Sequence, residues 1–265
     1  MLERSINQAT GLLALATPQG PRLMAMVNHG DEKFELPLLW RLCSALVGFG
    51  YPVTVLDATT CESEGNPGLE QLLEYDFWHS DPDGDSPQWK VIPAAFGLQS
   101  LGALQEHKSQ SLQQLGQLFP HEGVLLIYGK AQWLTPLLSN SGIKPLLAVA
   151  PMKHSLVGGY VALKQLLLNG RIEPTIANIL ADAPTVENVK LRPVASTLSA
   201  CAKNFLGYEV NAVNIAASTE NDALGIDMQH LALRMLENAI VLEPPISTAT
   251  AQQAAIGPVH FTGSH

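Results

Sequence analysis

Residues 23–59 read LMAMVNHGDEKFELPLLWRLCSALVGFGYPVTVLDAT. Two short apolar runs, 23–27 and 53–57, flank a segment of a different period, in which Leu38, Leu39, Leu42, Ala45 and Leu46 recur at helical spacing. Gly50 follows where a helix C-cap wants a residue free to take positive φ, and Pro37 suits the first turn of a helix over 36–49. Strand, turn, helix, Gly and strand in this order make a βαβ unit, and the crossover it needs belongs to a parallel sheet.

The same alternation continues outward. Further short apolar runs occupy 90–94, 124–128, 146–150, 175–180 and 210–216, giving seven predicted strands. Their uninterrupted apolar character fits strands covered on both faces rather than a half-solvated antiparallel sheet. Helical spacing returns over 155–168, with Leu156, Tyr160, Leu163 and Leu167 on one stripe, and over 186–205, where Pro193 predicts a break. The expected fold class is therefore α/β: a single domain with a mainly parallel seven-stranded sheet and helices on both faces. Turn-rich stretches at 65–67 and 81–87 read as surface loops, the second a mobile one. Residues 1–20 form a separate N-terminal segment, 21–242 the domain, and 243–265, with adjacent prolines and many small residues, an irregular or disordered tail.

Hydrophobic residues make up 46% of the 265 and charged residues 15%, which agrees with elements buried on both faces. A formal charge of -9 gives a field that repels phosphate polymers, so direct nucleic-acid binding is not expected. Cys43, Cys61 and Cys201 share no metal or redox spacing and fit a reducing compartment. None of the eight histidines stands in HExxH or another helical ligand spacing, so no metal site is expected, and no GxSxG elbow supports serine hydrolysis. No apolar run reaches the ~20 residues that span a bilayer, and no leader pattern opens the chain. The expected location is cytoplasmic, with recruitment to the inner face of the membrane as an added option.

The layout of 23–59 resembles the start of the MinD/ParA-like deviant-Walker ATPases: strand, phosphate loop, helix, Gly, and a strand ending in Asp. Other stretches are similar to the flagellar-number branch of that superfamily, FlhG/FleN. AVAPMKHSLVGGYVALKQLL, beginning at Ala148, resembles its PEPTSITDAYALIK passage through Pro151, Ser155, Tyr160 and Lys164. KNFLGYEV resembles a later helix-to-strand passage, and NQATGLL, from Asn7, resembles its N-terminal DQAxxLR. The resemblance implies a P-loop NTPase fold over roughly residues 5 to 240.

Aligned on Gly50 and Asp57, the family's phosphate loop, similar to KGGVGKT, falls on GDEKFEL at residues 30–36. In the family the glycines let backbone N–H groups wrap phosphate and two lysines neutralise it. Here Gly30 stands at one lysine position, Glu35 at the other, and Leu36 at the magnesium-binding Ser/Thr. Tyr128 replaces the acidic residue that organises magnesium and water. Asp57 persists, but Thr59 replaces the next carboxylate. Asn178 matches the family's adenine-contacting Asn, and it could equally satisfy local backbone groups. Gly30, Asp31, Lys33, Glu35, Leu36, Asp57, Tyr128 and Asn178 thus mark a degenerate nucleotide site with no assigned catalytic residue and no resident cofactor. His29 and Asp31 lie beside the loop, and Phe34 with Trp40 are expected to fill the pocket.

The expected function is a catalytically inactive scaffold or regulator in flagellar placement or a related bacterial surface-organelle system. The resemblance implies a protein partner, an FlhF-like GTPase or another flagellar component, met by Gln8, Leu12 and Leu13 with Ile6 and Leu15 as further anchors. It leaves homodimerisation open. The rival reading is a divergent but active ATPase in partitioning, cellulose secretion or organelle positioning, using ATP, magnesium, Lys33 and Asp57. A weaker one lays a helix at 224–241 on a membrane.

Overall fold

The computed structural model describes residues 20–75, 89–103, 108–119, 123–180, 194–216 and 225–242. The apolar runs become the strands β1 (Arg22–Asn28), β2 (Val53–Asp57), β3 (Trp89–Pro93), β4 (Val124–Lys130), β5 (Leu146–Val149), β6 (Thr175–Leu180) and β7 (Ala212–Ala216), joined by a short β8 (Ile240–Val241). β1 to β7 are parallel, in the order β3-β2-β4-β1-β5-β6-β7, while β8 pairs antiparallel with the start of β1. The helices are α1 (Glu32–Gly48), α2 (Leu69–Tyr75), α3 (Ala95–Ala103), α4 (Lys108–Leu118), α5 (Ala131–Leu138), α6 (Lys153–Gln165), α7 (Val194–Leu206) and α8 (Ile226–Glu237), with α6 continuing as a π-helical turn, Leu166–Gly170.

The strand period of two divides β1 between two cores. Leu23, Ala25 and Val27 face a cluster that includes Leu69, Leu98, Leu115, Leu134, Leu163 and Leu198, the apolar faces of α2 to α7. Met24 and Met26 face the second cluster, built from α1 through Leu38, Leu42 and Leu46 and from α8 through Met228, Leu231 and Met235. A sheet covered on both faces explains why its strands read as continuous apolar runs.

Several details differ from the sequence expectation. β8 escapes the reading because two residues carry no period. α1 begins at Glu32, four residues before the expected start, because the Asp31 carbonyl accepts the N–H groups of Phe34 and Glu35, each at 2.9 Å. Pro37 therefore sits inside the helix rather than in its first turn, where its missing N–H leaves one helical bond unmade. At the far end Gly50 takes φ +86°, and its N–H reaches the Val47 carbonyl at 2.8 Å. α7 is described from Val194, and the break expected at Pro193 lies outside the described residues. The helix expected over 224–241 ends at Glu237, and Met228, Leu231, Ala232 and Met235 are buried in the core. Its apolar face is thus packed against the sheet instead of being free for a membrane. Among the described residues no helix is long and apolar enough to cross a bilayer. The N-terminal segment with Gln8, Leu12 and Leu13, the loop at 81–87 and the tail at 243–265 lie outside the described residues.

Candidate functional site

β1 and β4 are neighbours in the sheet, and their following helices leave on opposite faces, α1 to one core and α5 to the other. Such a switch point opens a crevice at the strands' C-terminal ends, the usual ligand position in open α/β sheets. The loop Asn28, His29, Gly30 and Asp31 occupies it.

Glu35 closes that loop from within. It is fully buried, and its Oε1 accepts the N–H of His29 at 3.0 Å and of Asp31 at 3.2 Å. Tyr128, at the end of β4, donates its hydroxyl to Glu35 Oε2 at 2.7 Å and accepts from Asn28 Nδ2 at 2.7 Å. His29 Nε2 lies 2.7 Å from the Ala148 carbonyl, an obligate acceptor, so that nitrogen carries a proton; it is also 3.2 Å from Glu35 Oε1. A carboxylate thus takes up loop N–H groups at the start of a helix, where dipole and amides favour an anion. Burial first, then the Glu35 charge and its hydrogen bond, push the Tyr128 phenol well above its ordinary range and keep it a donor.

The side chains that the sequence alignment sets at the phosphate and magnesium positions are engaged or placed as follows. A unit charge ~4 Å from a phosphate contributes about 4 kcal/mol of repulsion at an effective dielectric of ~20. Leu36 offers no oxygen to magnesium, and its side chain packs against the second core. Tyr128, 2% exposed and held protonated, is no metal ligand. Lys33 is exposed and lies 5.7 Å from the ring of its neighbour Phe34. Asp57 turns into its own loop: Oδ1 accepts from Thr59 N at 2.9 Å and Thr59 Oγ1 at 2.6 Å, Oδ2 from Thr60 Oγ1 at 2.7 Å. Asn178 donates to Asn214 Oδ1 at 2.9 Å, a cross-strand amide pair rather than a local backbone contact. Among the described residues no cluster of His, Cys, Asp or Glu is suited to a metal.

The structure brings Glu35, Tyr128, Asp31 and Gly30 together, sets Asp57 beside Tyr128 in the β2–β4 register with its carboxylate turned into its own loop, and leaves Lys33 and Asn178 in separate surroundings. Phe34 and Trp40 do not fill the pocket. Trp40 is 49% exposed on the outer face of α1 and packs edge-on against Trp89, ring centroids 4.8 Å apart. A polar network fills the site because Glu35, one helical turn into α1, points back at the loop amides. Asn28 and His154 are the members that sequence reasoning missed. His154 Nε2 lies 3.1 Å from the buried Asp31 Oδ1 and ties the start of α6 to the loop. Its signal was the order of the sheet, since the residues after β5 must border β1 once those strands pair. Gly158 allows that approach, because a Cβ there would stand 2.8 Å from the His29 carbonyl oxygen.

No protein-family model matches the sequence. No curated protein matches it either. Solved structures do match. Cobyrinic acid a,c-diamide synthase from Mycobacterium smegmatis with bound ADP and magnesium is similar with a TM-score of 0.53 at 13% identity, covering 82% of this chain and 94% of that one. The MinC:MinD cell division complex of Aquifex aeolicus gives 0.47 at 13% identity, covering 91% and 99%. A ParA family ATPase from Chlorobium tepidum TLS gives 0.46 at 14% identity, covering 82% and 91%. At 13% identity the likeness to the synthase establishes a shared α/β fold and no more.

Proposed function

We propose that this chain is a nucleotide-independent scaffold or regulator built on a MinD/ParA-like fold, acting in flagellar placement or a related bacterial surface-organelle system. The observation that carries it is Glu35: the carboxylate that replaces the family's lysine accepts the loop's own N–H groups and the Tyr128 hydroxyl. A loop whose His29 and Asp31 N–H groups already bind a carboxylate does not offer them to phosphate, and a protein with no γ-phosphate to sense has no nucleotide switch. The flagellar assignment is supported by the NQATGLL and AVAPMKHS resemblances, and it implies capture of an FlhF-like GTPase through Gln8, Leu12 and Leu13.

The test is capture of the FlhF-like GTPase of the same genome by the full-length protein, with and without Mg-ATP. Equal capture in both conditions, abolished when residues 1–17 are deleted with the melting temperature unchanged, is the expected result. Capture that requires ATP would contradict nucleotide independence. Capture that survives the deletion would remove the flagellar assignment.

A further inference from the structure

The charges of this protein are unevenly placed. Residues 124–172 contain no Asp or Glu and five Lys or Arg, in a chain whose formal charge is -9. That stretch is β4, α5, β5 and α6 with their connections: two of its cations lie on α6 and three near the ends of the two helices, and none of its residues is acidic. Lys130, Lys144, Lys153, Lys164 and Arg171 are all exposed, and among the described residues none of them is ion-paired.

The same surface is apolar. Val157, Val161 and Leu168 are each more than half exposed, at 57%, 58% and 59%, and with Lys164 they fall at the spacing of one helical stripe along α6 and its π turn. A cleft lies at each end of the α5–α6 pair. The one at the sheet's C-terminal edge, about 440 Å3, takes in Lys130, Val161 and the buried His29, whose Nδ1 has no partner. The one at the other end, about 430 Å3, is lined by Lys144, Arg171 and one carboxylate, Glu173.

We infer that the α5–α6 face docks an acidic amphipathic helix of a partner protein. Its apolar residues would lie along Val157, Val161 and Leu168, and its carboxylates would meet Lys153 and Lys164 on the same stripe and Lys130, Lys144 and Arg171 near the ends of the helix pair. Helix-in-groove recognition uses anchors of this periodicity, and charge complementarity sets the orientation and speeds encounter. α6 and its π turn span 18 residues, so a helix of similar length, about 27 Å, matches the surface. A planar bilayer fits less well, because clefts at both ends need side chains that reach inward and the net charge repels anionic lipid. The inference rests on the protein-binding reading above and names the surface and the partner chemistry for it.

The experiment uses the full-length protein and a fluorescent 18-residue peptide with Leu at i, i+3, i+4 and i+7 positions and Glu elsewhere. Controls are the same peptide with Lys for Glu, and vesicles of phosphatidylcholine and phosphatidylserine. Binding of the Glu peptide alone, weakened at least about tenfold by Lys164→Glu and further by Val161→Glu with Lys164→Glu, is expected. Both sites are exposed, and an unchanged circular dichroism melt confirms folding. Absence of peptide binding, equal binding of the Lys peptide, insensitivity to both variants, or vesicle binding in place of peptide binding would overturn the proposal. Mg-ATP titrated into the same sample keeps the two readings apart: nucleotide binding counts against the scaffold function, and a peptide failure without it counts against this surface alone.

Discussion

Glu35 has no freedom to act as an ordinary surface carboxylate. It is buried, and its partners are backbone groups of the loop it stabilises. Removing the Tyr128 hydroxyl leaves Glu35 Oε2 and Asn28 Nδ2 without their partner, and each buried unsatisfied group costs about 1–3 kcal/mol. Tyr128→Phe should therefore destabilise by about 2–4 kcal/mol and lower the melting temperature by roughly 5–10 °C, read by calorimetry. The pH dependence has a definite sign. The phenol is pushed above its ordinary value of 10.0 in the folded state, so this stabilisation is complete below pH about 10 and is lost as rising pH ionises the unfolded chain first. Denaturant melts across that range should show a shallower alkaline loss in Tyr128→Phe than in the parent. Cys43, which burial pushes up to about 12, adds an alkaline loss common to both proteins.

At the scale of elements, one further carboxylate organises two helices at once. Glu62 is 5% exposed and accepts the N–H groups of Phe96 at 2.8 Å and Gly97 at 2.9 Å, in the first turn of α3, and of Glu70 at 3.3 Å, in the first turn of α2. Helix starts carry unsatisfied donors, so Glu62→Ala should cost about 2–3 kcal/mol, with proteolysis near α2 rising before global unfolding. This double cap is invisible in sequence, since Glu62 is distant from Phe96 in the chain and no local motif joins them. The βαβ alternation was legible because strands buried on both faces must be apolar throughout. That a carboxylate stands at position 35 was legible too, but the partners it finds were not. Aromatic residues near the loop suggested an apolar plug, whereas a carboxylate one turn into α1 finds the amide donors that a phosphate would use. Trp40 was misplaced because helical periodicity fixes a face relative to its own helix and not to the loop before it. The Asn178–Asn214 pair was not legible, because the two residues become adjacent only when β6 pairs with β7.

For the molecule as a whole, a parallel α/β architecture carries at its switch point a loop held by internal hydrogen bonds. The fold needs strand order and two apolar cores, neither of which depends on lysine at the loop. Catalysis of phosphoryl transfer needs charge neutralisation and an ordered metal, and Glu35, Leu36 and Tyr128 supply neither. The most direct test is isothermal calorimetry of the full-length protein with Mg-ATP. The closed loop predicts no saturable heat, with any dissociation constant weaker than about 1 mM. Micromolar binding, accompanied by ATP turnover that Asp57→Ala abolishes, would contradict it.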